Sequence, residues 1–327
     1  MLENITGHDN QKKILASSFV NNRMAHAYLF LGKEGVGKKA LAVEFARLVN
    51  CEHPDFEAFR SCSGCDSCEK QSKYLNPDIA VVEQDGATIK KLQIKTLLED
   101  QSLSSYFNKY KFIIINNAER LTKDAVPMLL KTIEEPAGKR VFILIAANPY
   151  FILPTIKSRC QVIKFGGLTL EQVRDILIFK SNAKESIIEY AARASEGSAA
   201  RALELIEEKN LELREIIFRM LESYYSAKQL FEIKTIKNKF EKFSIMTTDI
   251  LESFFYDVFK MKIGKGLIFN SDKENMIKKY SALLPLESIS NIIRDLDGSR
   301  SLISRNLSMN QDLVINSILV KGDIRNG

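Results

Sequence analysis

Three groups of residues in this chain have the types and spacing to do chemistry. The first lies in the stretch Tyr28–Ala46, YLFLGKEGVGKKALAVEFA. A short apolar strand, Tyr28 to Leu31, runs into a glycine turn, and the turn opens an amphipathic helix. Gly32, Gly37 and Lys38 stand at the spacing of a phosphate-binding loop, G-x-x-x-x-G-K-[ST], with Gly35 inside it. Such glycines let backbone N–H groups converge on phosphate oxygens. The helix N-terminus adds positive potential, and Lys38 reaches toward the outer phosphates. Lys39 breaks the pattern, because it stands where Ser or Thr would place a hydroxyl on Mg²⁺. A second lysine there offers to offset phosphate charge in place of the metal, so ATP binding is possible while hydrolysis is a separate question.

The second group is Cys51, Cys62, Cys65 and Cys68, four of the five cysteines in the chain. C-x₂-C-x₂-C with a fourth cysteine upstream suits tetrahedral Zn²⁺, since closely spaced thiolates can wrap one ion. His53 is a substitute ligand, and an iron–sulfur cluster is the rival. The ferredoxin run, however, continues to a cysteine followed by proline, which is missing here. Four thiolates leave no open position, so the expected role of Zn²⁺ is structural. A free-standing zinc module for DNA is disfavoured by Glu52, Asp55, Glu57, Asp66 and Glu69, which give the segment as much acid as base.

The third group is the end of the apolar run Phe112–Ile115, followed by Asn116-Asn117-Ala118-Glu119. In a phosphate-loop ATPase the acid after this strand holds Mg²⁺ and the next acid orients the attacking water. Both positions are asparagine here. An amide is no general base and brings no charge to a metal. Glu119 lies two residues further on, where helix geometry is expected to turn it away.

The elements that must position these groups alternate. Residues 1–27 carry two helical patterns with Ile14, Leu15, Phe19 and Val20 on the buried face. Helix 38–50, strand 79–82, helix 89–98, strand 112–115, helix 125–136, strand 141–146 and strand 162–165 follow. This alternation indicates an α/β fold with an open parallel sheet covered on both faces. Gly166-Gly167 marks a boundary. Six of the seven prolines precede it, and residues 168–327 read as almost purely helical. Lys90, Lys91 and Lys95 on helix 89–98 are candidates for phosphate-backbone contact, against a plain solvated face.

Composition limits the classes. The chain has 327 residues, 45% hydrophobic and 27% charged, with a formal net charge of +6, as in globular proteins of two or three domains. No run is long enough to span a bilayer. The opening MLENITGHDN lacks the pattern of a signal peptide, so a cytoplasmic location is expected. The positive charge permits nucleic-acid contact without requiring it.

Several segments, in this order, resemble the delta-prime subunits of the bacterial DNA polymerase III clamp loader, a family of AAA+ relatives. They are His26-Ala27-Tyr28-Leu29-Phe30 leading into Gly35-Val36-Gly37-Lys38, the cysteine module, and Leu129-Leu130-Lys131-Thr132-Ile133-Glu134-Glu135-Pro136. Further on come Ser158-Arg159-Cys160, Glu196-Gly197-Ser198-Ala199-Ala200-Arg201-Ala202-Leu203, and Asn306-Leu307-Ser308-Met309-Asn310 with Leu313. The resemblance implies an AAA+ phosphate-loop domain over 1–166 with the zinc module at 51–68, a helical lid over 167–210 and a helical collar over 211–327. It implies a five-subunit ring with gamma/tau and delta subunits as partners, acting on a sliding clamp and primer–template DNA. It also implies that Arg159 projects in trans toward ATP held by a neighbour, and that Arg201 is the lid's sensor arginine. Without the resemblance, Arg159 reads as a helix cap or the partner of a carboxylate. Active members of the family place a polar sensor where Ala146-Ala147 stand. With Lys39, Asn116 and Asn117, this favours a stator that does not hydrolyse ATP over a gamma/tau-like motor.

Overall fold

Uninterrupted apolar runs become the strands of a parallel sheet. In the computed structural model, residues 5–72, 77–100, 110–136, 138–227 and 245–304 are described. The strands are β1 (Ala27–Leu31), β2 (Ile79–Val82), β3 (Lys111–Ile115), β4 (Arg140–Ala146) and β5 (Gln161–Lys164). They lie in the order β2-β3-β4-β1-β5, all parallel. Every residue of β1 and of β3 is buried, as a strand covered on both faces must be. One face packs Leu15 of α1 (Asp9–Val20) and Leu41, Phe45 and Leu48 of α2 (Lys38–Asn50) on Tyr28, Phe30, Phe112 and Ile143. Helix α3 (Asp66–Ser72) belongs to the cysteine segment. The other face packs Ile94 of α4 (Lys91–Asp100) and Leu129 and Ile133 of α5 (Val126–Glu134) on Leu29, Ile113 and Leu144.

The N-terminal segment differs from expectation. Among the described residues before β1 there is one helix, not two. Gly7, His8 and Asn22 take left-handed φ values of 76°, 58° and 51° and so bracket α1. Leu15 and Phe19, one turn apart, define its inner stripe. Ile14 and Val20 point away and are 45% and 60% exposed, because a lone amphipathic helix buries only one face.

After the four-residue helix α6 (Pro154–Lys157) and β5, the described residues contain no further strand. The helices are α7 (Leu170–Lys180), α8 (Glu185–Ala194), α9 (Ala199–Leu205), α10 (Glu208–Ala227), α11 (Ile245–Ile263), α12 (Glu274–Leu283) and α13 (Leu286–Ser304). Two compact units result: residues 1–176 with 196–200, and 177–195 with 201–327. The segment Asn306–Leu313 lies outside the described residues. No described helix is long and apolar enough to cross a membrane.

The helical unit combines an aromatic core with a buried polar chain. Phe254 meets Phe218 and Tyr280 edge-on at 5.6 and 5.2 Å. Beside it, Asp257 accepts from Phe269 N, Asn270 N and Asn270 Nδ2 at 2.7, 2.7 and 2.9 Å. Asn270 Oδ1 in turn accepts from Arg214, whose guanidinium also reaches both oxygens of Asp272 and lies 4.0 Å from the Tyr190 ring centroid. This chain pins the connection between α11 and α12. Asp257→Ala removes the acceptor of three donors, two of these bonds being buried, and is expected to lower unfolding free energy by about 3 kcal/mol, read by urea denaturation. Asp257→Asn, which keeps one acceptor oxygen, loses less.

Candidate functional site

The phosphate loop leaves the C-terminal end of β1, where Gly32 N donates to Ala146 O at 3.2 Å. Gly37 opens α2 with φ 104°, a conformation a side chain resists. At Gly35, with φ 77°, an added β-carbon would run into Ser198 Oγ. Residues 196–200 thus lie directly on the loop. Ala200 N donates to Gly35 O at 3.1 Å, and Lys33 pairs with Glu196 at 2.7 Å. From the other side His8 Nε2 lies 2.6 Å from Val36 O. Burial lowers the pKa of that imidazole, so a neutral ring donating from Nε2 suits the contact. Neither the His8 brace nor the 196–200 contact was signalled by the motif.

Lys38 is only 6% exposed, and its ammonium donates to Gly32 O at 2.5 Å and Lys33 O at 2.7 Å. Burial lowers its pKa, partly opposed by the carboxylate of Glu119. Glu119 is not turned away as the sequence suggested. Its Oε1 accepts from Ala147 N at 2.9 Å, while Oε2 is buried without a hydrogen-bond partner among the described residues. The reason is the left-handed turn at Asn117 (φ 57°), which starts a short 3₁₀ segment, Ala118–Arg120, and swings position 119 back over the sheet end.

Lys39 has a partner that sequence inspection missed. Its Nζ lies 2.8 Å from Glu83 Oε1, and Asn116 Nδ2 donates to the same oxygen at 3.1 Å. Glu83 follows β2 directly. Hydrogen bonds from Lys39 and then Asn116 hold its carboxyl below the usual range. An ammonium and an amide thus occupy the Glu83 oxygen, and the carboxylate at the strand end is that of Glu119. Asn117 contacts Gln84 at 3.5 Å.

The four cysteines do come together. The sulfurs of Cys51, Cys62, Cys65 and Cys68 all lie within 4.8 Å of one another, and Cys51 and Cys68 are 3.7 Å apart. Tetrahedral Zn–S bonds of about 2.3 Å imply sulfur separations of about 3.8 Å, so the set fits zinc. Cys51, Cys65 and Cys68 are buried and Cys62 is exposed. Burial raises the Cys62 thiol's pKa, but hydrogen bonds from Gly64, Cys51 and Cys65 outweigh it and bring the value to about 6, toward the thiolate a metal needs. His53 is exposed and outside this group. Bound there, zinc would supply a cross-link between the end of α2 and α3.

Arg159 follows α6. Its Nε and Nη2 each reach Glu134 Oε1 at 2.5 Å, and Nη1 donates to Thr155 O at 3.1 Å. Arg201 pairs with Asp249 and with Glu204 inside the helical unit. Lys90, just before α4, and Lys91 and Lys95 on it are exposed, with Lys95 3.6 Å from Glu99.

A parallel sheet carrying a glycine loop with the spacing of a phosphate loop, followed by helices alone, defines an α/β phosphate-loop protein. Comparison with known proteins agrees. The family described as "DNA polymerase III, delta subunit" matches residues 7–169, and its C-terminal counterpart matches residues 208–322. The delta′ subunit of Bacillus subtilis (strain 168) is 30% identical over 303 residues, covering 89% of this chain and 90% of that one. The delta′ subunit of Pseudomonas aeruginosa is 36% identical over 138 residues, 42% of each chain. The B. subtilis tau subunit is 30% identical over 212 residues, 63% of this chain but 37% of tau. The chain belongs to the delta′ family of DNA polymerase III clamp-loader subunits.

Two outcomes check the site. Purified protein is expected to carry about one zinc per chain, and Cys65→Ser to lose it along with thermal stability, read by metal analysis and calorimetry. For Lys38 the folded pKa lies below the unfolded value of 10.5. The buried ammonium therefore costs stability throughout the acid and neutral range, and the cost fades as pH rises toward 10.5. Lys38→Met is expected to match or exceed wild-type stability at pH 7, with the difference shrinking in alkali.

Proposed function

We propose that this chain is the stator of its clamp loader: a subunit that does not hydrolyse ATP and instead lends Arg159 to ATP bound by a neighbouring tau-type subunit. The observation that carries this reading is the closed charge set Lys39–Glu83–Asn116. It puts a paired lysine where the metal-binding hydroxyl would stand and amides where the two acids would stand, and the carboxylate at the strand end, Glu119, accepts from Ala147 N. Metal-linked charge neutralisation and water positioning supply much of the barrier reduction in phosphoryl transfer, each group being worth about 10²–10³ in rate. Gly32, Gly35, Gly37 and Lys38 retain a phosphate cradle, so ATP binding without turnover is compatible with the loop. A gamma/tau-like motor requires the groups that are replaced here.

In this reading residues 1–166 form the AAA+ domain, 167–210 the lid carrying Arg201, and 211–327 the collar that joins the ring. Partners are the gamma/tau and delta subunits, the sliding clamp and, within the ring, primer–template DNA. The exposed Lys90 and Lys91 suit its phosphate backbone, which such contacts track without reading bases. The protein acts in the cytoplasm, with zinc holding residues 51–68 in shape.

The guanidinium of Arg159 would stabilise charge developing on a γ-phosphate it does not itself bind, an effect on the order of 10³ in rate at the site served. Reconstitution with the ATPase subunit tests this. Arg159→Ala is expected to leave assembly intact and to remove the ATP turnover of the site it faces. Unchanged turnover would return Arg159 to a local role in pairing Glu134. The isolated chain should show no magnesium-dependent ATPase that Lys38→Ala abolishes.

A further inference from the structure

Arg159 is gripped by Glu134 along one edge and by Thr155 O at Nη1. A guanidinium carries five N–H bonds in a rigid fork. The side edge, Nε–H and one Nη2–H, is committed to Glu134 Oε1 at 2.5 Å each. One Nη1–H is committed to Thr155 O at 3.1 Å. Of the remaining two, the Nη1–H has only Ser158 Oγ at 3.4 Å, beyond a good hydrogen bond, and the second Nη2–H has no acceptor among the described residues. Nη1 and Nη2 thus each keep a hydrogen in hand, and the tip of the fork, formed by these two nitrogens, has a spacing that matches a pair of phosphate oxygens.

Glu134 comes from elsewhere in the chain. It is the last residue of α5, a helix clamped to the sheet by Leu129 and Ile133, which are fully buried. The carboxylate therefore stands on a rigid element, while the arginine it holds has a long flexible stem. The two side chains are 37% and 47% exposed, so their attraction contributes little to folding. What the contact supplies is orientation.

We propose that Glu134 is the positioning residue for Arg159: it fixes the side edge of the guanidinium so that the tip faces outward, set for the phosphate of an adjoining subunit's nucleotide. This rests on the trans role proposed for Arg159. It predicts that the effect of losing Glu134 passes through Arg159 alone. A misoriented reacting group costs up to about 10²-fold in rate without weakening substrate binding.

The experiment is ATP turnover by the reconstituted complex, with full-length chain carrying Glu134→Ala, Glu134→Gln, Glu135→Ala, Arg159→Ala or Glu134→Ala with Arg159→Ala. Glu134→Ala is expected to lower kcat at the site served by roughly tenfold with KM for ATP unchanged. Glu134→Gln, which keeps an oxygen acceptor, should recover part of it, and the adjacent Glu135→Ala should match wild type. In the Arg159→Ala background, Glu134→Ala should add nothing. An equal loss in both backgrounds would show that Glu134 acts on the fold at large, and an unchanged or raised kcat in Glu134→Ala would show that the grip is irrelevant. Either result overturns the inference. Arg159→Ala without effect would instead defeat the trans role itself.

Discussion

Strand β1 is the constraint from which the rest of the phosphate-loop unit follows. It pairs with β4 on one side and β5 on the other, from Ala27 opposite Phe142 to Leu31 opposite Ala146 and Lys164. Tyr28 and Phe30 fill one face and Leu29 the other. A one-residue slip would exchange those faces. The register is therefore strict, and it sets where the glycine loop emerges relative to Ala147, Asn116 and Arg159. The functional groups sit on loops, and the buried strand determines where those loops begin.

Charge at the loop is handled inside the chain. An active phosphate-loop enzyme brings metal, nucleotide and acids together on binding. Here Lys38 rests on the loop's own carbonyls, Lys39 on Glu83, and Lys33 on Glu196. Each lysine has a resident acceptor, so these ammonium groups are satisfied within the chain. The same logic appears at Arg159, where Glu134 neutralises part of a charge that is still partly exposed. Pairing that is half-exposed contributes little to stability, yet it is directional enough to orient an arginine.

The helical unit uses a different economy of contacts. Arg214 is 1% exposed, yet it is bound by Asp272 and Asn270 and stacked against Tyr190. Burial raises the pKa of Asp257, against the pull of the Asn270 and Phe269 donors. Such a network adds little net stability over an apolar core but penalises alternative packings. A unit of helices alone, with few local signals to set their order, benefits from that selectivity.

What the sequence determined by itself was local. Apolar runs marked the strands to within a residue at each end; for the inner strands the reason is that a strand buried on both faces must be apolar throughout. The glycine–lysine spacing marked the loop after β1, and the cysteine spacing marked the four-cysteine cluster, because both depend on residues close together along the chain. The inner face of α1 was half right: Leu15 and Phe19 face the core, but hydrophobicity alone did not exclude Ile14 and Val20. Tertiary structure decided the pairings. Glu83 meets Lys39 across 44 positions, Glu134 meets Arg159 across 25, and His8 reaches Val36 across 28. No periodicity encodes these contacts. Glu119 faces the loop because one left-handed turn at Asn117 redirected it, which only the folded backbone reveals. Spacing identifies groups that share a turn of chain, and the packing of the sheet decides which distant charges they meet.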